Sequence, residues 1–403
     1  MIGKEIINYA LRNLKHRKAR SILTIVSIFI GITAIFVFVS FGWGLYDYVN
    51  KFTTGTSVDK ILIQPKGTGP PGLDTTFALT EKDLEAVRKT SGVYEASGVY
   101  SKAAEVQLDN TKKYVFLNAY DPDNPLILEF FGDIGVSKGR LLRSSDSGNV
   151  VLGYNYQIKD KIFSKPLDIN DNLLVQGKKL KIIGFFESVG NPQDDSAIYV
   201  ANDFISELYP GTSGNYSWII ARADIENLDA TIERVENSVR KSRDLEKGNE
   251  DFFVASFQDL LDQYLGALNL IIGFVILIAL VSVLVSAINT ANSMITSVIE
   301  RVREIGIIKS IGARNSEIFN LFLFESGLIG FLAGTLGVIL GFIITFAAKI
   351  VLTNLGWAFL SPHYSISLFL GCILFATLTG AISGAWPAWQ ASKIKPVDAL
   401  RYE

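Results

Sequence analysis

The chain holds one cysteine and two histidines among 403 residues. A single cysteine excludes an intrachain disulfide framework, and two histidines leave little from which to build a histidine-rich metal centre. Charge is scarce as well. Asp, Glu, Lys and Arg make up 19% of the chain, against about 25% in ordinary soluble domains. No G-x-x-x-x-G-K-[ST] string occurs: Gly177-Lys178 has neither the upstream glycine spacing nor a following hydroxyl. A phosphate-cradling nucleotide loop is therefore excluded. Disorder is excluded in turn, because disordered chains are poor in apolar residues and 49% of this one is hydrophobic.

What the chain has instead is long uncharged sequence. Ser21–Tyr46 (26 residues), Gln263–Ile299 (37), Ser326–Ala348 (23) and Ile350–Ser392 (43) carry no charge, and about 20 apolar residues of helix cross a bilayer. The last stretch opens with Gly356, Pro362 and His363, so it reads as a loop (349–366) before a helix over 367–388. The second is too long for one crossing, and its latter half is polar (Ser286, Asn289, Thr290, Asn292, Ser293). It reads as a rod that begins above the membrane and continues past it. The first span is much longer than the 7–15-residue core of a signal peptide and lacks an A-x-A-like site, so it reads as a retained anchor.

Lys and Arg set the orientation. Lys4, Arg12, Lys15, Arg17, Lys18 and Arg20 precede the first span; Arg301, Arg303, Lys309 and Arg314 lie between the second and third; Lys393, Lys395 and Arg401 follow the fourth. Both termini and the 300–317 loop are expected on the cytoplasmic side, with residues 1–20 as an amphipathic surface helix or a plain basic flank. The segment 47–262 then lies outside. Its 24 Lys+Arg and 33 Asp+Glu give it no nucleic-acid signature. It reads as mixed α/β, with a β-rich subdomain inserted over about 136–214 and a Gly/Pro-rich loop at 65–77. The lone Cys372 falls in the fourth span and reads as a small hydrophobe.

Three features bear on function. The loop Ser297-Val-Ile-Glu-Arg-Val-Arg-Glu-Ile-Gly-Ile-Ile-Lys-Ser-Ile-Gly-Ala313 reads as a charged helix end, a break at Gly306, a short apolar helix and a second break at Gly312. Such a helix suits docking into a partner groove and equally suits a solvated connector. In the docking reading Ile305, Ile308 and Ile311 enter the groove, while Glu304 and Lys309 form its charged rim. In the third span Gly327, Gly330, Gly334, Gly337 and Gly341 fall on one helix face, the pattern of close helix packing in membranes. Glu325 near that span's inner end is read as a packing or interfacial carboxylate, since no second ionisable group lies within the spans.

The string Glu300-Arg301-Val302-Arg303-Glu304-Ile305-Gly306 with Lys309-Ser310-Ile311-Gly312-Ala313, and the tail Trp386-Pro387-Ala388-Trp389 through Pro396-Val397-Asp398-Ala399-Leu400-Arg401, resemble the FtsX-like permease family of ABC transporters. Gly139-Arg140-Leu141-Leu142, Val150-Val151-Leu152-Gly153 and Ile182-Ile183-Gly184-Phe185-Phe186 resemble the MacB-type periplasmic core domain. The resemblance implies a four-span α-helical membrane protein of the plasma membrane with a large mixed α/β extracytoplasmic domain. It implies a coupling helix bound by an ATPase, with Glu300, Arg303, Glu304, Ile305, Gly306, Ile308, Lys309, Gly312 and Ala313 in the coupling role. It also implies two permease subunits, membrane lipid around them, and mechanotransmission as the mechanism. MacB carries its ATPase in the same chain, so here ATP and Mg are expected in a separate subunit, and this chain is read as non-enzymatic. Two functions follow: extraction or export of a lipoprotein, peptide or drug-like substrate, or regulation of an outer hydrolase as in the cell-division branch of the family.

The topology is directly testable. Cysteine introduced at Lys112 or Lys178 is expected to react with an impermeant maleimide on intact cells, and at Lys309 only after permeabilisation. Labelling at position 309 from outside would refute the arrangement.

Overall fold

The computed structural model describes residues 18–53, 58–67, 78–130, 134–212 and 214–400. The helix expected over 1–20 lies outside them except for its last three residues, and of the 65–77 loop only 65–67 are described. In chain order the elements are α1 (Lys18–Thr53), β1 (Lys60–Pro65), β2 (Leu79–Thr80), α2 (Glu81–Arg88), β3 (Val93–Leu108), β4 (Thr111–Tyr120) and α3 (Leu126–Phe130). There follow β5 (Val136–Gly139), β6 (Asn149–Leu152), β7 (Asn172–Val175), β8 (Lys178–Phe186), β9 (Ile198–Ala201) and α4 (Asn202–Leu208). Next come β10 (Asn215–Tyr216), β11 (Trp218–Ala223), α5 (Leu228–Ser242), β12 (Phe252–Ser256) and α6 (Phe257–Glu300). The chain closes with α7 (Val302–Ser310), α8 (Asn315–Leu355), α9 (Ile366–Ser392) and α10 (Pro396–Leu400). Two compact units result: an α/β unit over 46–266 with 352–359, and a helical unit from the rest.

In the α/β unit β12, β1, β11 and the first half of β3 form an antiparallel sheet. Both faces are covered at the sheet centre, where Ile61-Leu62-Ile63 of β1 and Ile219-Ile220 of β11 are continuous apolar runs rather than alternating ones. Ile61, Ile63, Ile219 and Ala221 face Leu84 and Val87 of α2 and Val235 and Val239 of α5. Leu62 and Ile220 turn the other way, onto Leu126 and Ile127 of α3. Lys60, at 1% exposure, is held by Glu129 of α3 at 2.9 Å; a buried ammonium is tolerable only when paired. The capping pair of Thr80 and Asp83 starts α2: the Thr80 amide donates to Asp83 Oδ2 at 2.8 Å. A second such pair starts α6, where the Ser256 amide donates to Asp259 Oδ2 and the Asp259 amide to Ser256 Oγ, each at 2.9 Å.

The β-rich part is not a separable insertion over 136–214. Strand β3 pairs with β11 through Val99 and with β4 from Tyr100 onward. From there the hydrogen bonds run β4–β9–β6–β8–β7 and back to β3. Six strands thus close a ring around Ala104, Val106, Leu117, Val150, Leu173, Leu180 and Ile198. Residues 136–214 alone lack two of those strands. Borrowing β3 and β4 removes the edges an inserted sheet would expose.

In the helical unit four helices are long and apolar enough to cross a membrane. Helix α6 has 44 residues, about 66 Å at 1.5 Å per residue, and leaves Leu270, Ile271, Phe274, Leu277, Ile278 and Val281 exposed, a surface suited to lipid. Ile28, Ile32 and Phe36 of α1 pack with Ile329 and Ala333 of α8 and with Leu368, Cys372 and Ala376 of α9. Helix α9 runs through Pro387 to Ser392, four residues past the expected end at 388, so part of the expected tail is helix.

Asp146 anchors the loop after β5. It accepts from Arg140 Nη2 (2.8 Å), the Arg143 amide (2.8 Å) and Asn149 Nδ2 (2.9 Å). The Arg140 guanidinium, helped by the Arg143 amide and Asn149, holds its carboxyl well below the usual carboxylate range. A depressed carboxyl stabilises the fold above its unfolded pKa of about 3.9, and that contribution is lost as pH falls through the folded value. Asp146→Asn is expected to lower stability of the α/β unit at pH 7 by about 1.5–3 kcal/mol and to flatten its melting-temperature profile below pH 4. Thermal melts from pH 7 to 2.5 check both.

Candidate functional site

Arg301 is the single residue between α6 and α7, with φ −116° and ψ 12°. The chain turns there and enters α7 at once, so Gly306 is not a break: it lies inside Val302–Ser310. A glycine is needed for another reason. A Cβ at 306 would stand 2.6 Å from the Ala399 Cβ of α10, so the two helices touch backbone to side chain. Gly312, at φ +104°, ends the turn in the left-handed region that glycine adopts without penalty. The Arg314 amide then donates to Glu317 at 2.9 Å and opens α8.

The inward face of α7 differs from the one expected. Ile305, 3% exposed, sits among Met294 and Val298 of α6, Ile318 and Phe322 of α8, and Ala388 and Ala391 of α9. Ile308 and Ala313 are half-buried against the same cluster. Lys309 is no rim charge: its Nζ donates to the carbonyls of Ser392 (2.9 Å) and Ile394 (2.7 Å), capping the end of α9. Ile305 and Lys309 are turned inward because the ends of three long helices and the tail converge there, a juxtaposition no local pattern contains. Exposed are Glu300, Arg303, Glu304, Ile307, Ser310, Ile311 and Gly312. On α7 and its last turn, 303, 304, 307, 310 and 311 share one face at 3.6 residues per turn. Ile307 is 50% and Ile311 82% exposed.

Glu325 does have an ionisable partner. Arg301 Nη1 donates to Glu325 Oε2 at 3.1 Å, with the side chains 7% and 8% exposed. The guanidinium lies over the Phe322 ring at 5.3 Å, and its Nε reaches Glu304 at 3.2 Å. The expense of a lone carboxylate in an apolar span points to such a partner, and Arg301 supplies it from just outside the uncharged run 263–299.

The five glycines of α8 divide between two neighbours in the chain. Gly327, Gly330 and Gly334 face Ala381, Ala376 and Ile373 of α9, and Gly337 and Gly341 face Phe29, Ile32 and Phe36 of α1. Among the described residues no group of three His, Cys, Asp or Glu is arranged to hold a metal ion.

Two family models match this architecture: FtsX-like permease C-terminal over residues 276–396 and MacB-like periplasmic core domain over 21–238. The chain is 30% identical to the ABC transporter permease MJ1507 of Methanocaldococcus jannaschii, covering 99% of itself and 98% of that protein. It is 26% identical to the ABC transporter permease YknZ of Bacillus subtilis, covering 99% of each. Against the macrolide export ATP-binding/permease protein MacB of Salmonella typhi the identity is 26% over 99% of this chain, which spans 61% of that protein. The solved periplasmic region of MacB from Actinobacillus actinomycetemcomitans aligns at TM-score 0.42 and 12% identity, over 52% of this chain and 93% of that one.

Among the five α8 glycines, Gly330 makes the tightest contact. A Cβ at Gly330 would lie 2.3 Å from the Ala376 carbonyl oxygen, a backbone atom that cannot swing aside. Gly330→Ala is expected to push α8 and α9 apart and to lower the melting temperature of the detergent-solubilised chain, whereas Gly371→Ala on α9, where a Cβ meets nothing within 4 Å, leaves it unchanged. Equal melts for the two variants would refute the close packing.

Proposed function

Because the chain belongs to the ABC transporter permeases that combine a MacB-like periplasmic core domain with an FtsX-like permease domain, and is a multi-pass membrane protein, we propose that it transmits ATP-driven motion. In this reading a separate ATPase subunit binds and hydrolyses MgATP. Its movement is taken up by α7 and passed along the helices to the α/β unit. The substrate is a molecule handled outside the membrane, a lipoprotein, peptide or drug-like compound. Two permease subunits work as a pair, surrounded by lipid. The Lys and Arg distribution supports cytoplasmic termini and a cytoplasmic α7.

The observation that carries the reading is the outward face of α7. Two large aliphatic side chains, Ile307 and Ile311, stand in the open at a polar helix end, flanked by Arg303 and Glu304. A short amphipathic helix with an apolar centre and a charged rim is suited to a groove on a soluble partner: the apolar centre supplies affinity and the rim fixes register. Ile305 and Lys309 then support the docking helix from behind instead of meeting the partner. A carrier in which substrate crosses through the bundle finds no support in α8, whose glycine face is filled by α1 and α9.

Burying one isoleucine contributes about 1.5–3 kcal/mol, a factor of about ten to a hundred in affinity. Ile307→Asp and Ile311→Asp are expected to abolish co-purification of the cognate ATPase, and Glu304→Lys to weaken it about tenfold, with the α/β unit still folded by protease resistance. Retention of the ATPase by both aspartate variants would refute the docking role of α7.

A further inference from the structure

Helix α7 is joined covalently to α6 through Arg301 and to α8 through residues 311–314. A helix tethered only by its ends would swing at its joints. The joint at Arg301 is a single non-helical residue, and its own side chain is the one fastened. The Arg301 guanidinium is buried, lies 3.1 Å from Glu325, about three turns into α8, and covers the Phe322 ring. At the other end Lys309 spends two hydrogen bonds on carbonyls at the end of α9. The helix is therefore pinned at both ends by a cation, to two different long helices, neither of which precedes it in the chain.

We infer that Arg301 and Lys309 are positioning residues that clamp α7 to α8 and α9, so that a push on its outward face is delivered into the third and fourth long helices as well as along α6. The direction of the force rests on the proposed function above; the clamp itself does not. Chemistry favours position over stability as the pair's role. Two charges taken out of water recover little net free energy, and a well-packed apolar pair of similar volume often replaces them without loss of fold. What the ion pair adds is a fixed register, because an apolar contact slides and a guanidinium–carboxylate contact does not.

The test uses the full chain in lipid nanodiscs, with spin labels at the exposed Ser310 of α7 and Ser316 of α8. The parent is expected to give a narrow distance distribution. Glu325→Gln, the apolar pair Arg301→Met with Glu325→Leu, and Lys309→Met are each expected to broaden it at least twofold, the apolar pair melting within a few degrees of the parent. The reversed pair Arg301→Glu with Glu325→Arg is expected to narrow it again. An apolar pair as narrow as the parent, or a reversed pair as broad as Glu325→Gln, overturns the clamp. The cognate ATPase then separates the two readings. The apolar pair is expected to capture it within twofold of the parent, while the ATP-dependent distance change between labels at Ser316 and Gln390 falls at least fivefold. An unchanged ATP response in the apolar pair overturns force delivery through the clamp. Capture surviving in both Ile307→Asp and Ile311→Asp would instead overturn the docking role, and the label widths measured without ATPase would still judge the clamp.

Discussion

The helical unit depends on backbone contact along α8. Between membrane helices there is no hydrophobic driving force, since lipid tails are as apolar as leucine, and association comes from close packing. Gly330 and Gly334 let α8 lie against Ala376 and Ile373 of α9, and Gly337 and Gly341 let it lie against Phe29, Ile32 and Phe36 of α1. With the side chains gone, the α8 backbone comes within reach of its neighbour: Thr33 Oγ1 of α1 donates to the Gly337 carbonyl at 3.2 Å. The same stripe brings the ends of α8 and α9 together where Ile318, Phe322, Ala388 and Ala391 make one apolar floor. Helix α7 rests on that floor, so its outward face exists only because its inward face has somewhere to go.

The α/β unit solves a related problem with different means. Its apolar strand centres are covered by α2 and α5 on one side, by α3 on the other, and by ring closure beyond Val99. The long strand β3 takes part in both halves, so the open sheet and the ring share one continuous backbone. A displacement of one half is felt by the other through covalent structure and not through a soft interface. The unit's most buried ion pairs include Asp83 with Arg243 and Glu250 with Arg240, beside Lys60 with Glu129.

The proposed docking role of α7 rests on the exposure of its outward-facing isoleucines. The family match over 276–396 spans the whole of the helix, and exposure singles out Ile307 and Ile311 without reference to any relative. The side chains that hold α7 in place, Arg301, Lys309 and Ile305, are interleaved with those it presents. One nine-residue helix thus has one packed face and one open face.

Much of this was legible in the chain itself. Uncharged runs longer than a bilayer marked the four long helices, because an unpaired charge in hydrocarbon is too costly to occur by accident. The 3, 4, 3, 4 spacing of glycines marked one face of α8, because helical period is a local property. The strings at 300–313 and 386–401 carried the family. What local pattern could not contain was which residues meet across long separations. Arg301 and Glu325 are 24 residues apart, Lys309 and Ser392 83 apart, and β3 finds β7 and β11 only once the chain has folded back. Period alone made Ile305, Ile308 and Ile311 equivalent. Only convergence of three helix ends buried the first, half-covered the second and left the third in the open, because burial is decided by what stands opposite a side chain and not by the side chain itself.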